Sequence, residues 1–258
     1  MTINPPPPSA GHSTYPDLAG KRVVVTGGAS GIGQATAARF VLEGSRVVVL
    51  DRDAERLAAV AVEVPGLAGT VAADISSAAD VRRAFEEVDA LIGGIDVLVA
   101  NAGVSYRTAF VDITDEQWDA VVGTNLSGTF YTAREAARRM RAQGSGVLLF
   151  TASTNGLSGH ELYADYNATK AGVLLLMRTL ALELAPAIRS NAVSPGYVLT
   201  PMQRREYTDE MLEALNAGIP AGRHARPDEV AALFAFLASE QAAYLTGVSV
   251  NIDGGETA

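Results

Sequence analysis

Tyr166 and Lys170, in the run Tyr166-Asn167-Ala168-Thr169-Lys170, carry the first chemistry legible in this chain. On a helix, residues four apart share a face, with Cβ atoms about 5–6 Å from each other. A lysine ammonium held beside a tyrosine favours the phenolate over the phenol. A unit charge about 4 Å away, at an effective dielectric near 20, is worth roughly 4 kcal/mol, or about three pKa units. The pair therefore predicts a tyrosine, ordinarily with a pKa of about 10, that gives or takes a proton near neutral pH. The chain has only two lysines, Lys21 and Lys170, against eighteen arginines. A compact ammonium suits a place beneath a phenol and a sugar hydroxyl, where a planar guanidinium fits poorly.

A second chemistry lies nearer the amino-terminal end, in Thr26-Gly27-Gly28-Ala29-Ser30-Gly31-Ile32-Gly33. Glycines in such a turn let backbone N–H groups approach a pyrophosphate, and a following helix adds its positive N-terminal dipole. The spacing is Gly-x-x-x-Gly-x-Gly rather than the general Gly-x-Gly-x-x-Gly, but a strand precedes it and a helix follows. Asp51 stands 18 residues after Gly33, at the end of the next strand. An acid there accepts hydrogen bonds from the adenosine ribose hydroxyls and repels a 2′-phosphate, so NAD is favoured over NADP. Arg52, next in the chain, is the group that could hold such a phosphate instead. Asp74, after the third strand, suits the adenine edge. The alternative use of both aspartates is a loop cap after a strand.

Elements must hold these groups in place. Short apolar, β-branched runs at 22–26, 46–50, 69–73, 97–100, 147–151, 189–193 and 248–252 read as strands. Several are unbroken, as in Val47-Val48-Val49-Leu50, which suits parallel strands covered on both faces. Helical patterns fall at 31–43, 54–63, 77–92, 115–142, 165–185 and 227–239. The alternation predicts an α/β fold: one doubly wound parallel sheet of the Rossmann type, with about seven strands and helices on both faces, over residues 17–258. Residues 197–226 break the rhythm and read as a lid over a site. The helix at 165–185 is apolar nearly all round, so a second copy of the chain is expected on its far side.

The bulk numbers exclude other classes. A formal charge of −9 disfavours a nucleic-acid or anionic-membrane partner. With no cysteine, disulfides and thiolate metal sites are ruled out. His12, His160 and His224 are isolated, so no metal site is expected. The start of the chain, Asn4-Pro5-Pro6-Pro7-Pro8-Ser9, lacks the pattern of a signal peptide. Residues 1–16 read as a proline-rich, unpacked tail. No stretch is long and apolar enough for a membrane span, so a cytoplasmic location is expected.

In order along 18–258, the motifs resemble those of the short-chain dehydrogenase/reductase family. They are Thr26 to Gly33, Asp74, Asn101-Ala102-Gly103, Asn125, Ser153, Tyr166 with Lys170, and Pro195-Gly196 with Thr200. The resemblance implies a catalytic set of Asn125, Ser153, Tyr166 and Lys170. Ser153 would orient the substrate oxygen, and Asn125 would hold a water against the lysine. It implies a nicotinamide cofactor, NAD, held by Gly27, Ser30, Gly31, Ile32, Gly33, Asp51, Asp74, Ile75, Asn101 and Gly103. Tyr166, Lys170, Pro195, Gly196, Val198 and Thr200 complete the cofactor set. The segment 183–191 is about one residue shorter than is usual in the family, and Ser190 stands where a valine is common.

The expected activity is hydride exchange between the nicotinamide and a secondary alcohol or ketone, with Tyr166 moving the proton. The substrate would be a polyol, a sugar, a hydroxy-steroid or a hydroxy acid. Val104, Ser105, Asn155, His160, Tyr163, Tyr197 and the segment 202–217 are placed around it. The alternatives are an NADP-dependent reductase of 3-oxoacyl thioesters and, from another class, a non-catalytic nucleotide-binding regulator. A homo-oligomer, dimer or tetramer, is expected.

Overall fold

The structure, a computed structural model, describes residues 14–258. Its strands are β1 (Arg22–Thr26), β2 (Arg46–Asp51), β3 (Gly69–Ala72), β4 (Val97–Ala100), β5 (Gly146–Thr151), β6 (Ile188–Pro195) and β7 (Ser249–Ile252). All are parallel, in the order β3-β2-β1-β4-β5-β6-β7. The order reverses between β1 and β4, the crevice where such sheets bind ligands. The helices are α1 (Gly31–Leu42), α2 (Ala54–Glu63), α3 (Ala78–Ile92), α4 (Asp115–Val122), α5 (Thr129–Gln143), α6 (Ala164–Leu184), α7 (Pro201–Glu206), α8 (Asp209–Gly218) and α9 (Pro227–Ala238).

The unbroken strand runs have the cause expected of them. Val24 faces a core with Phe85 of α3, Met140 of α5 and Met177 of α6. Val23 and Val25 face a second core with Phe40 of α1, Val60 of α2 and Phe234 of α9. Both faces of the sheet are therefore dry. Cutting any one of the buried phenylalanines to alanine would cost about 3–5 kcal/mol. Side chains of Asp53, Ser77, Thr114, Thr200 and Thr208 cap five helix starts by accepting a backbone N–H. Gly93 and Gly144 close α3 and α5 with φ of 76° and 85°.

Four expectations change in detail. The helix expected over 115–142 is two, α4 and α5, joined by a π-helical turn at Gly123–Gly128. Within it, a Cβ on Gly128 would lie 2.7 Å from Ile75 Cδ1, so only glycine allows that approach. The segment 197–226 holds two helices, α7 and α8, whose short periodic runs carry no strand signal. β6 runs on to Pro195, because β7 pairs with it there, Pro195 opposite Ile252. The unpacked stretch expected over 1–16 does not extend to its last two residues, since Pro16 opens a short 3₁₀ turn. Tyr15 is buried, and its N–H donates to Glu43 Oε2 at 2.7 Å. The rest of that stretch, residues 1–13 with His12, lies outside the described residues.

The short turn after α6 contains a cis Ala185–Pro186 peptide. Ser190, where a valine is usual, is fully buried, and its hydroxyl donates to Met177 O at 2.8 Å, tying β6 to α6. At the starting edge of the sheet, the Arg22 guanidinium donates to Asp96 at 2.6 and 2.9 Å and to Gly93 O at 2.7 Å. None of the described helices is long and apolar enough to cross a membrane.

Candidate active site

The ends of β1, β2, β4 and β5 open into one cavity of about 750 Å³. Gly27 and Gly31, with φ of 62° and 53°, turn the chain from β1 into α1. A Cβ on Gly33 would lie 2.1 Å from Gly27 O and 2.6 Å from Asn101 Nδ2, so the turn closes only around a bare Cα. Ser30 is the N-cap of α1, with no side-chain cap bond. The first-turn N–H groups of a helix have no partner within it, and Gly31 and Ile32, in the first turn of α1, line the cavity. This backbone cradle, with its dipole, fits a pyrophosphate. Asn101 braces it from β4: its Nδ2 donates to Thr26 O and Gly27 O at 3.1 and 3.2 Å, and its Oδ1 accepts from Thr151 at 3.0 Å.

Asp51 lines the cavity at the end of β2. Its carboxylate accepts the N–H of Ala29 and of Asp53, each at 3.2 Å, which fixes it against the turn. Arg56 grips Ala29 O at 2.9 Å and pairs with Glu63 at 3.2 Å. Asp74 and Ile75 line the same wall, and Asp74 Oδ1 accepts from the Ser76 N–H and hydroxyl at 2.9 and 2.7 Å. This wall thus sets the carboxylates of Asp51 and Asp74 beside the apolar side chains of Leu50 and Ile75.

Tyr166 and Lys170 line the same cavity from the first turns of α6. Lys170 is 4% exposed, and its Nζ donates to Thr151 O at 2.7 Å. Burial pushes the ammonium down to about 8. Nζ lies 5.4 Å from the centre of the Tyr166 ring. The expected lowering of the tyrosine by this lysine is not what the protein itself produces. Burial pushes Tyr166 up to about 12; a hydrogen bond with Ser153 pulls the other way, and the Glu206 carboxylate adds a smaller upward push. Desolvation wins because the cation is turned toward a carbonyl, leaving the phenol as the stable form.

Ser153, at 7% exposure, accepts the Asn155 N–H at 3.2 Å. Asn125 lies in the π-helical turn, buried to 1%. Both arms of its amide are engaged: Oδ1 accepts Val104 N–H, and Nδ2 donates to Val104 O, each at 2.8 Å. Its side chain pins the loop after β4, and its backbone carbonyl accepts the Thr129 hydroxyl at 2.7 Å. A Cβ on Gly103 would lie 3.2 Å from Asn125 Oδ1 and 3.7 Å from Lys170 Nζ.

The sequence-predicted residues divide into those on the cavity wall and those behind it. Gly27, Ser30, Gly31, Ile32, Asp51, Asp74, Ile75, Asn101, Gly103, Tyr166, Lys170 and Thr200 line the cavity. Gly33, Asn125, Ser153, Pro195, Gly196 and Val198 do not. Gly196 is hemmed in by Asp253 and Glu256, and Val198 bridges to Ala225, at the two ends of the 197–226 segment. Sequence reasoning missed Thr151 and Arg56 on this wall; Arg205, also on it, and Glu206, which is not, were named only as part of the segment 202–217. Thr151 ends β5, a position that could have flagged it. Glu206 carried no signal, since its partners are 43 and 101 residues away.

Behind the cavity wall, Glu206 Oε2 accepts the Tyr163 hydroxyl at 2.7 Å, and Oε1 accepts the Ser105 hydroxyl. Tyr207 and Tyr163 hydroxyls lie 2.8 Å apart. Burial pushes the Tyr163 phenol far up. His160, lowered by burial, lies at 3.4 Å from Ser158 Oγ. His224 is stacked edgewise on Tyr197 with ring centres 5.6 Å apart, and its Nδ1 lies 2.6 Å from Asn216 Oδ1.

Known proteins are similar to this chain in sequence and in fold. The family described as Enoyl-(Acyl carrier protein) reductase matches residues 27–257. The 3-oxoacyl-[acyl-carrier-protein] reductase of Thermotoga maritima is 38% identical over 242 residues, covering 92% of this chain and 98% of that one. The L-rhamnose 1-dehydrogenase (NAD(P)(+)) of Azotobacter vinelandii is 38% identical over 248 residues, covering 92% and 97%. The crystal structure of 3-ketoacyl-(acyl-carrier-protein) reductase from Brucella melitensis complexed with NADH superposes with a TM-score of 0.89. It is 37% identical and covers 93% of this chain and 100% of that one.

Proposed function

Because the chain belongs to the short-chain dehydrogenase/reductase family of oxidoreductases, we propose that it exchanges hydride between NAD and a secondary alcohol or ketone, with Tyr166 as acid–base. The observation that carries this reading is that Tyr166 and Lys170 wall the same cavity as the glycine turn and Asp51. A proton-transfer group and a dinucleotide cradle then face one space.

When bound, the nicotinamide would accept the hydride and its electron pair from the alcohol carbon, or return them to a carbonyl. The chain's own groups do the rest. Ser153 donates to the substrate oxygen and holds it toward Tyr166. In oxidation the tyrosine takes the hydroxyl proton; in reduction it returns one to the oxygen. Lys170 spends one N–H on Thr151 O, which leaves two for ribose hydroxyls. A positive charge brought beside the phenol offsets part of its burial and moves it back toward neutral pH. Asn125 keeps the loop from Gly103 to Ser105 at the substrate's edge. The segment 197–226 serves as the lid, with Thr200 packed on the phosphate turn: a Cβ on Gly31 would lie 3.3 Å from its Cγ2.

NAD is preferred on the position of Asp51, whose carboxylate would oppose a 2′-phosphate. A specific observation supports the NADP reading as the second one: Arg52 and Arg56 line the cavity beside Asp51. Arg56 is already committed to Ala29 O and Glu63, which leaves Arg52 as the cation for such a phosphate. Kinetics with both coenzymes decide. Asp51→Ala is expected to lower the NAD-to-NADP ratio of kcat/KM by about tenfold or more, given loss of hydrogen bonds to a charged acceptor. An unchanged ratio removes Asp51 as the discriminator. A panel of secondary alcohols with NAD at alkaline pH, read at the NADH absorbance, tests the activity. No turnover of any member with either coenzyme would overturn it. We further take the chain to work in the cytoplasm as a homo-oligomer.

A further inference from the structure

Glu206 is an acid at the end of a helix whose preceding residues are Arg204 and Arg205. Its carboxylate is turned inward, where three separate pieces of chain meet: the loop after β4 through Ser105, the start of α6 through Tyr163, and the end of α7 itself. Its partners there are hydroxyls, and the Tyr207 hydroxyl joins them through Tyr163. The Tyr163 ring stands edge-on to Tyr166, with centres 6.2 Å apart, so this cluster borders the proton-transfer group. The charge of Glu206 is felt at the Tyr166 phenol.

A carboxylate offers about four acceptor positions, of which Ser105 and Tyr163 fill two. A substrate hydroxyl can take a spare position, or replace a protein hydroxyl one for one at little cost. A hydrogen or methyl in the same place shields the carboxylate from water without donating to it. A substrate anion there faces like charge. A cation meets a different obstacle: the Arg107 guanidinium lies 5.8 Å from the Tyr207 ring centre, and Arg205 lines the cavity.

Resting on the dehydrogenase reading above, we infer that Glu206 determines specificity by accepting a hydrogen bond from a second hydroxyl next to the reacting carbinol. The substrate class is therefore a neutral polyhydroxylated compound with vicinal hydroxyls. One carbinol loses hydride to NAD and its proton to Tyr166, leaving a hydroxyketone. The second hydroxyl is bound by Glu206 and unchanged.

A matched set of substrates tests this: cyclohexanol, cyclohexane-1,2-diol, 2-hydroxycyclohexanecarboxylate and 2-aminocyclohexanol. Each differs from the next only in the group beside the reacting carbon. Wild type, Glu206→Gln and Glu206→Ala are assayed with NAD and NADP. The wild type is expected to favour the diol over cyclohexanol by about tenfold or more in kcat/KM, and to take the carboxylate least. The diol-to-cyclohexanol ratio falls by about tenfold in Glu206→Ala, and the carboxylate's relative rate rises in both variants. Glu206→Gln, isosteric and retaining one acceptor oxygen, falls between, and it carries the test should the alanine variant not fold. A ratio constant within about threefold across the proteins overturns the assignment of Glu206, as does preference for the amine. Those results need turnover of at least one member, so they leave the dehydrogenase reading standing. No turnover of any member with either coenzyme sinks that reading and this inference together.

Discussion

At the scale of single residues, the two groups read first from the sequence are held against their own preferences. Burial pushes Tyr166 up to about 12 and Lys170 down to about 8. Tyr166→Phe removes the proton carrier and nothing of the phosphate cradle. It is expected to lower kcat by about 10²–10⁴-fold while NADH still binds in a fluorescence titration. Wild-type turnover by that variant would remove Tyr166 from the mechanism. Lys170 has a stability consequence of definite sign. Unfolded, the amine keeps its proton up to its ordinary 10.5; folded, only up to about 8. Between those values the unfolded chain binds more protons, so stability rises with pH there, and below pH 8 the penalty is in full force. Lys170→Met at pH 7 relieves about 3–4 kcal/mol of that penalty and gives back about 1 kcal/mol at the Thr151 carbonyl. The variant should melt a few degrees higher and turn over nothing. A lower melting temperature would mean that the bond to Thr151 outweighs burial. The pairing of tyrosine and lysine was legible because helical spacing alone sets it. The direction of the tyrosine's shift was not, since it depends on which way the ammonium turns and on how much water the fold removes.

At the scale of elements, the strands and most helices were legible because their patterns are local. Dry faces on both sides of the sheet leave unbroken valine runs, and side-chain caps mark the helix starts. The π-helical turn at Gly123–Gly128 was not legible, since the sequence continues in helical register through it. Its reason is tertiary: it turns Asn125 inward onto both backbone groups of Val104. Asn125→Ala strips partners from that N–H and C=O at once, a cost of about 2–4 kcal/mol for two neutral groups. Amide exchange should quicken at Val104 and its neighbours before it does in β4, and activity should fall with it. Protection unchanged at Val104 would show that the loop is held by something else. The two helices within 197–226 were hidden for a similar reason. Each is short, and each is fixed by contacts to distant segments, such as Glu206 to Tyr163, that no sequence period announces.

At the scale of the molecule, the far side of α6 carries Leu175 and Leu182 at 65% and 84% exposure, and α5 carries Phe130 at 40%. Apolar faces of this kind cost free energy in water unless a second copy covers them. Light scattering coupled to size exclusion is expected to give two or four times 26.8 kDa, and a species of one times that mass would refute the oligomer. The sequence made these exposed leucines legible, because a helix apolar all round carries more apolar surface than the sheet alone covers. What it could not supply was the orientation of the whole. Lys21 stands just before β1, beside the Arg22 and Asp96 pair at the closed edge of the sheet, whereas Lys170 is sealed at the cavity end. An amine-directed reagent therefore has one lysine within reach, and it lies on the side away from the mouth. Coupled to a bead or an electrode through that side chain, the protein would stand with its opening toward the solution, attached by chemistry that leaves the working end untouched.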